Sequence, residues 1–268
     1  MTVFAPKALP DESGLTPQLV WDLPTRLFHW TLAALFTGAF LVAIASSEHS
    51  RVFLVHMLIG LILAFAIVLR LVWGLVGSKP SRFSSFLYSP AALGRYVRLA
   101  MKGADQPGSG HNPGSSYAIY AMLLLPLALV ATGLLKSSGR EWAEELHTVL
   151  AYGMLAVVGL HLLGVAWHAR RHRDGIALAM VHGRRPVGAG EAIASHRSWA
   201  GAVYLLLLGG WAAGLVNGFE ASRRQVVLPL VGTVLPLGEA KEGKEGKEGK
   251  GRGARQEGGK QKHGDDDH

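Results

Sequence analysis

The sequence contains no cysteine. Thioether-linked haem, a cysteine-held iron–sulfur cluster and a disulfide are therefore excluded for this chain, and any such group must sit on a partner. Charge is scarce as well, at 17% of 268 residues. It is also unevenly spread: residues 239–268 hold eight acidic and eight basic side chains, so the formal net charge of +8 belongs to the rest of the chain. The first twenty residues lack a continuous apolar run and a cleavage pattern, so no removable signal peptide is expected. What the chain has in quantity is apolar sequence, 49% of residues with a mean hydropathy of +0.25, arranged in long runs. Such runs describe a membrane protein.

Four runs, at about 24–47, 52–76, 116–135 and 146–168, are long enough to cross a bilayer, and a fifth at 199–218 is just long enough. The hydrophilic link 48–51 is so short that the first two spans must be antiparallel neighbours. The connections 77–113 and 169–197 carry eleven Lys and Arg, against three in 48–51 and 136–145. The positive-inside rule places the first two connections, and with them the N-terminus, in the cytoplasm of a bacterium, in its inner membrane.

Histidines recur within these runs at a telling spacing. His147 and His161 are fourteen residues apart on one helix. At 3.6 residues per turn they face the same side to within about 40°, roughly 21 Å apart along the axis. His29 sits just inside the first span and His56 just inside the second, at opposite faces of the membrane. Given the alternation of the helices, His29 and His161 share the cytoplasmic level, and His56 and His147 share the outer one. Each imidazole alone is satisfied by a bond to a neighbouring helix. Two pairs at two depths instead point to two six-coordinate haems, whose irons each take two axial imidazoles.

Arginines accompany the histidines. Arg70 lies fourteen residues beyond His56 and faces the same way one level lower; a haem propionate would pair with it, or it snorkels to the interface. Arg26, one turn before His29, reads either as a propionate contact or as a positive-inside anchor. Gly60, one turn beyond His56, leaves space for a flat macrocycle or a close helix. Gly210, Gly214 and Gly218 form a close-packing face for a further helix, either of this chain or of another subunit. Residues 226–237, broken by Pro229 and Pro236, are too short to span and read as an interfacial or partner-docking segment. The glycine-rich charged tail is expected to be disordered. His263 and His268 around three aspartates read as a solvated end before a weak cation site.

Several stretches, taken jointly, resemble the bacterial cytochrome b561 and hydrogenase-type cytochrome b family. They are Arg26 with His29-Trp30, RLVWGLVGSKPSRF at 70–83, Gly110-His111-Asn112-Pro113, LVATG at 129–133, His147, HLLGV at 161–165 and AMVHGRRP at 179–186. The resemblance covers about residues 19–190. It implies a four-helix core with two b-type haems, the cytoplasmic one on His29 and His161 and the outer one on His56 and His147, and it implies quinone or protein redox substrates. His111, within the family-like segment, reads as approaching a haem edge or quinone pocket, or as a helix-start residue before Pro113. His168, His172, His182 and His196 lie in the basic boundary, where interface contacts suffice, and His49 lies in an exposed turn.

The expected fold is an all-α membrane protein: a four-helix transmembrane bundle over 19–190 binding two haems, with a lead-in at 1–18, a fifth transmembrane helix within 191–220 and a C-terminal segment at 221–268. The expected function is single-electron transfer across the bilayer between the quinone pool and a redox partner protein, such as a c-type cytochrome, a hydrogenase or another dehydrogenase. This makes the chain an electron-transfer subunit of an oxidoreductase system, because two six-coordinate irons leave no open position for substrate. Membrane lipid is the surrounding partner, and no nucleic acid is expected. An alternative is a self-contained quinone oxidoreductase acting on a small oxidant such as superoxide; Glu141, Glu144 and Glu145 in an outer loop disfavour an anion. A haem-free helical scaffold would leave four intramembrane histidines and Arg70 to be explained one at a time.

Overall fold

The computed structural model describes residues 16–47, 50–104, 111–173, 175–187 and 192–237. Expectations for most of the lead-in, for His49, for Gly110 and for the charged tail with His263 and His268 lie outside these residues.

Five helices are long and apolar enough to span a membrane: α1 (Leu23–Ala45), α2 (Phe53–Val76), α4 (Pro113–Ser137), α5 (Trp142–His172) and α7 (Ser198–Asn217). Two of them, α1 and α4, start at a side-chain cap. Asp22 caps α1, its carboxylate accepting from the Thr25 amide, with Pro24 in the first turn. Asn112 caps α4 in the same way through the Ser115 amide, followed by Pro113. Charged first and last turns mark α5, with Glu144 and Glu145 at its start and Arg170 and Arg171 at its end, each sign complementing the helix dipole.

The helices form two antiparallel hairpins, α1 with α2 and α4 with α5, which meet mainly through α2 and α4. Gly60 of α2 lies beside Val130 of α4. Phe28, Leu63, Ala66, Ile67 and Leu123 pack where α1, α2 and α4 converge. In contrast, α5 makes few contacts beyond α4 and the short α6 (Ile176–His182), and Ala143 and Met154 are its buried residues. That leaves the histidine-bearing helix with a largely unfilled apolar surface.

The fifth span packs on the core of its own chain. Gly201 of α7 lies against Leu23 and Leu27, the Trp211 ring stacks on Phe65 at 4.6 Å, and its Nε1 donates to the Leu61 carbonyl at 3.3 Å. The glycines at 214 and 218 are in contact, not with a helix, but with a small antiparallel meander of β3 (Phe219–Glu220), β4 (Gln225–Val227) and β5 (Val234–Pro236). Four-residue glycine spacing announces a close approach to a helix; it does not say what approaches.

At the opposite face, where α1 begins, β1 (Pro17–Leu19) pairs antiparallel with β2 (Arg184–Pro186). The amides of Val20 and Trp21 both donate to the Gly183 carbonyl, and the Leu23 amide donates to that of His196. Gly183 has φ +82 and stands where a Cβ would meet the Trp21 carbonyl at 2.8 Å, so only glycine fits this crossing. The AMVHGRRP stretch thus forms a cap beneath α1. An amphipathic helix α3 (Pro90–Met101), capped by Ser89, interrupts the long basic connection.

Candidate functional site

His56 and His147 face each other across the two hairpins, their ring centroids 6.1 Å apart. His56 comes from the first turn of α2 and donates from Nδ1 to the Ala39 carbonyl of α1 at 2.8 Å. His147, from the second turn of α5, donates from Nδ1 to the Leu129 carbonyl of α4 at 2.9 Å, with the Thr132 hydroxyl oxygen at 3.1 Å from the same nitrogen. Both imidazoles are thus oriented by a helix carbonyl at Nδ1. A metal bond of about 2 Å to each ring, added to the half-width of two imidazoles, requires centroids roughly 6 Å apart. The observed pair meets that requirement.

The second pair lies near the other face. His29, two turns into α1, and His161, near the middle of α5, are near enough to interact electrostatically. The Nδ1 of His29 is buried and has no hydrogen-bond partner among the described residues. Trp30, whose ring meets His29 edge-on at 5.2 Å, donates from Nε1 to the Met180 carbonyl of the cap at 3.0 Å. Arg26 donates to the Val181 carbonyl. Motif residues around His29 therefore tie it to the 179–186 stretch, far away in sequence.

Arg70 does not snorkel. It is 4% exposed, donates from Nη2 to the Ser81 carbonyl at 3.1 Å and lies against the Phe83 ring at 5.0 Å and the Phe28 ring at 6.0 Å. Its Nη1 is buried and has no hydrogen-bond partner among the described residues.

Beneath Arg70 lies a polar knot that the sequence alone did not reveal. The fully buried Asp22 carboxylate accepts from both Ser78 and Ser81 hydroxyls, and from Trp73 Nε1 at 3.2 Å. Burial alone would raise the acid's pKa; hydrogen bonds from Ser78, Thr25 and Ser81 outweigh it and hold Asp22 below the usual carboxylate range. His111 is wedged beside this knot, its ring 4.7 Å from Trp21 and 4.5 Å from Phe86, with Nε2 buried and without a hydrogen-bond partner among the described residues. Burial first, then the charges of Arg70 and Arg185, pull its pKa down to about 3, against a bond to the Pro80 carbonyl. It is a neutral imidazole at physiological pH. The remaining histidines hold the boundary together: His168 and His172 rings pair at 4.5 Å, and the Arg184 amide donates to His182 Nδ1 at 3.0 Å.

The family model for prokaryotic cytochrome b561 matches residues 20–183. The chain belongs to the prokaryotic cytochrome b561 family. All four paired histidines, Arg26, Arg70 and the cap up to Gly183 fall within the match. A probable Ni/Fe-hydrogenase B-type cytochrome subunit of Rhizobium leguminosarum bv. viciae is 26% identical over 211 residues, spanning 62% of this chain and 87% of the relative. No solved structure matches the chain. This b561-family member is thus a multi-pass membrane b-type cytochrome of electron transfer. Among the described residues no three His, Asp or Glu side chains gather into a metal-ion site; a haem iron requires only two protein ligands.

Proposed function

We propose that this cytochrome holds two haems b, one between His29 and His161 and one between His56 and His147, and carries single electrons across the inner membrane between the quinone pool and a redox partner protein. The observation that carries the reading is the outer pair: two imidazoles 6.1 Å apart, each with Nδ1 committed to a helix carbonyl. Bis-imidazole haem supplies reversible one-electron chemistry without an open coordination position. The chain's own part is to orient the ligands, exclude water and neutralise charge. Ala39 and Leu129 carbonyls raise the basicity of the outer ligands. Arg70 and, at the rim of α1, Arg26 are the cations for propionates at the other level.

Loop charge supports an N-terminus in the cytoplasm, with His29 and His161 at the cytoplasmic level. The quinone then has a natural station at that face. His111 Nε2 is a buried acceptor for a quinol hydroxyl, framed by Trp21 and Phe86. The hydrogenase-type relative favours a hydrogenase or a similar metal-containing dehydrogenase as the partner at the outer face, beside His56 and His147.

Short-chain quinol added to the protein in lipid vesicles is expected to reduce the b-type absorbance bands. His111→Leu removes one hydrogen bond of about 1.5 kcal/mol and is expected to slow that step on the order of tenfold. Its haem content and dithionite-reduced spectrum should match the parent. Bands that ignore quinol in the parent protein would remove quinone from the account, and an unchanged rate in the variant would remove His111.

A further inference from the structure

After α7 the chain turns back on itself. β3 continues outward from the helix end, a turn with Arg224 at φ 49 reverses it, and β4 pairs antiparallel with β3, Phe219 opposite Val226. β4 therefore runs back alongside α7. Its descent can be followed on the helix: at Gly218 a Cβ would stand 2.6 Å from the Val227 carbonyl oxygen, and at Gly214 2.6 Å from the Pro229 ring. Two residues of extended chain cover about 6.6 Å and four of helix about 6 Å, so strand and helix keep pace. The residues that follow Pro229 are thus level with or below Gly214, which already lies inside the apolar span Ser198–Asn217.

There the hairpin tip is made of Leu230 and Val231. The Leu228 amide donates to the Thr233 carbonyl at 2.8 Å and the Gly232 amide to the Leu228 carbonyl at 3.0 Å, closing the turn. Leu230 is 96% exposed and Val231 70% exposed, and Leu230 holds φ 68, a left-handed conformation that leucine rarely adopts. No packing among the described residues offsets that strain. The rest of the meander is well seated: Val226 and Leu237 are fully buried against Leu54, Leu61 and Leu215. Polarity runs along the hairpin's length. Arg223, paired with Glu220 at 3.2 Å, sits at the end away from the span, while residues 228–234 carry no charge.

We propose that the 228–234 tip is a membrane insertion device: Leu230 and Val231 enter the acyl region of the bilayer leaflet beside the end of α7, while Arg223 and Glu220 stay at the aqueous surface. Lipid is the occupant because depth and polarity agree. The uncharged end lies beside the apolar span, and the charged end lies away from it. Water would meet two bare aliphatic side chains there, and a soluble partner would have to reach below the helix end. The inference is independent of the haem assignment.

The absence of cysteine makes the test simple. Single variants Leu230→Cys and Val231→Cys, with Arg223→Cys for comparison, are spin-labelled in the full chain and reconstituted in phosphatidylcholine–phosphatidylglycerol vesicles, the parent absorbance spectrum serving as the folding check. Labels at 230 and 231 are expected to collide readily with oxygen, which concentrates among acyl chains, and hardly with a water-soluble nickel chelate; the label at 223 should reverse the order. A tip label open to the chelate would overturn the proposal. So would a tip label shielded from both reagents, which would mean that a protein surface covers it.

Discussion

Replacing His161 with alanine is expected to remove one haem of two, and replacing His56 the other. Under the proposed assignment, each substitution strips an axial ligand from a different pair. His161 shares its level with His29, while His56 sits 6.1 Å from His147. The half-buried positions tolerate the smaller side chain, so both variants should still insert and fold. Haem content should fall to about half, since a haem b without a thioether link depends on its axial ligands. Redox titration distinguishes them: the parent shows two waves, and each variant keeps a different one. External imidazole should restore the missing wave by filling the position left by the side chain. If both variants lost the same wave, or neither lost any, the pairing by depth would be wrong.

Asp22→Ala should be strongly destabilising. The carboxylate is fully buried and collects Trp73, Ser78, Ser81 and the Thr25 amide, so its removal strands several donors and leaves Arg70 without a nearby counter-charge. Breaking a buried charge network of this kind costs about 3–5 kcal/mol. Asp22→Asn keeps the shape and should cost less. The acid's folded pKa is depressed, so its contribution is fully present above the unfolded value of about 3.9 and is lost as pH falls through the lower folded value. Thermal unfolding in detergent, followed at pH 7 and then down through pH 4, checks both statements. Asp22→Ala should melt well below the parent at neutral pH, and Asp22→Asn should have a shallower loss of stability in acid than the parent.

The membrane spans were legible because apolar run length is a one-dimensional property: the structure places α1, α2, α4, α5 and α7 within a few residues of the sequence reading. The nearness of His56 to His147 was legible for the same reason, since helical rise converts sequence position into depth. What escaped were contacts between distant stretches. Nothing in residues 17–19 announces a strand with 184–186, because three residues carry no periodicity. Asp22 carried no signal in the sequence, because Ser78 and Ser81, more than fifty residues away, close on it only in the fold. Arg70 admitted two readings from sequence; its burial between Phe28 and Phe83 removes the snorkelling one. The glycine stripe of α7 signalled a tight approach at Gly214 and Gly218 but implied a helix, where a strand and Pro229 fill the groove; nothing among the described residues approaches Gly210.

Haem b per polypeptide in the purified parent protein, measured as the pyridine haemochrome against amino-acid analysis, tests the central claim most directly. The account predicts two low-spin haems per chain. One haem or none in fully loaded protein would contradict it and return one or both histidine pairs to holding helices together.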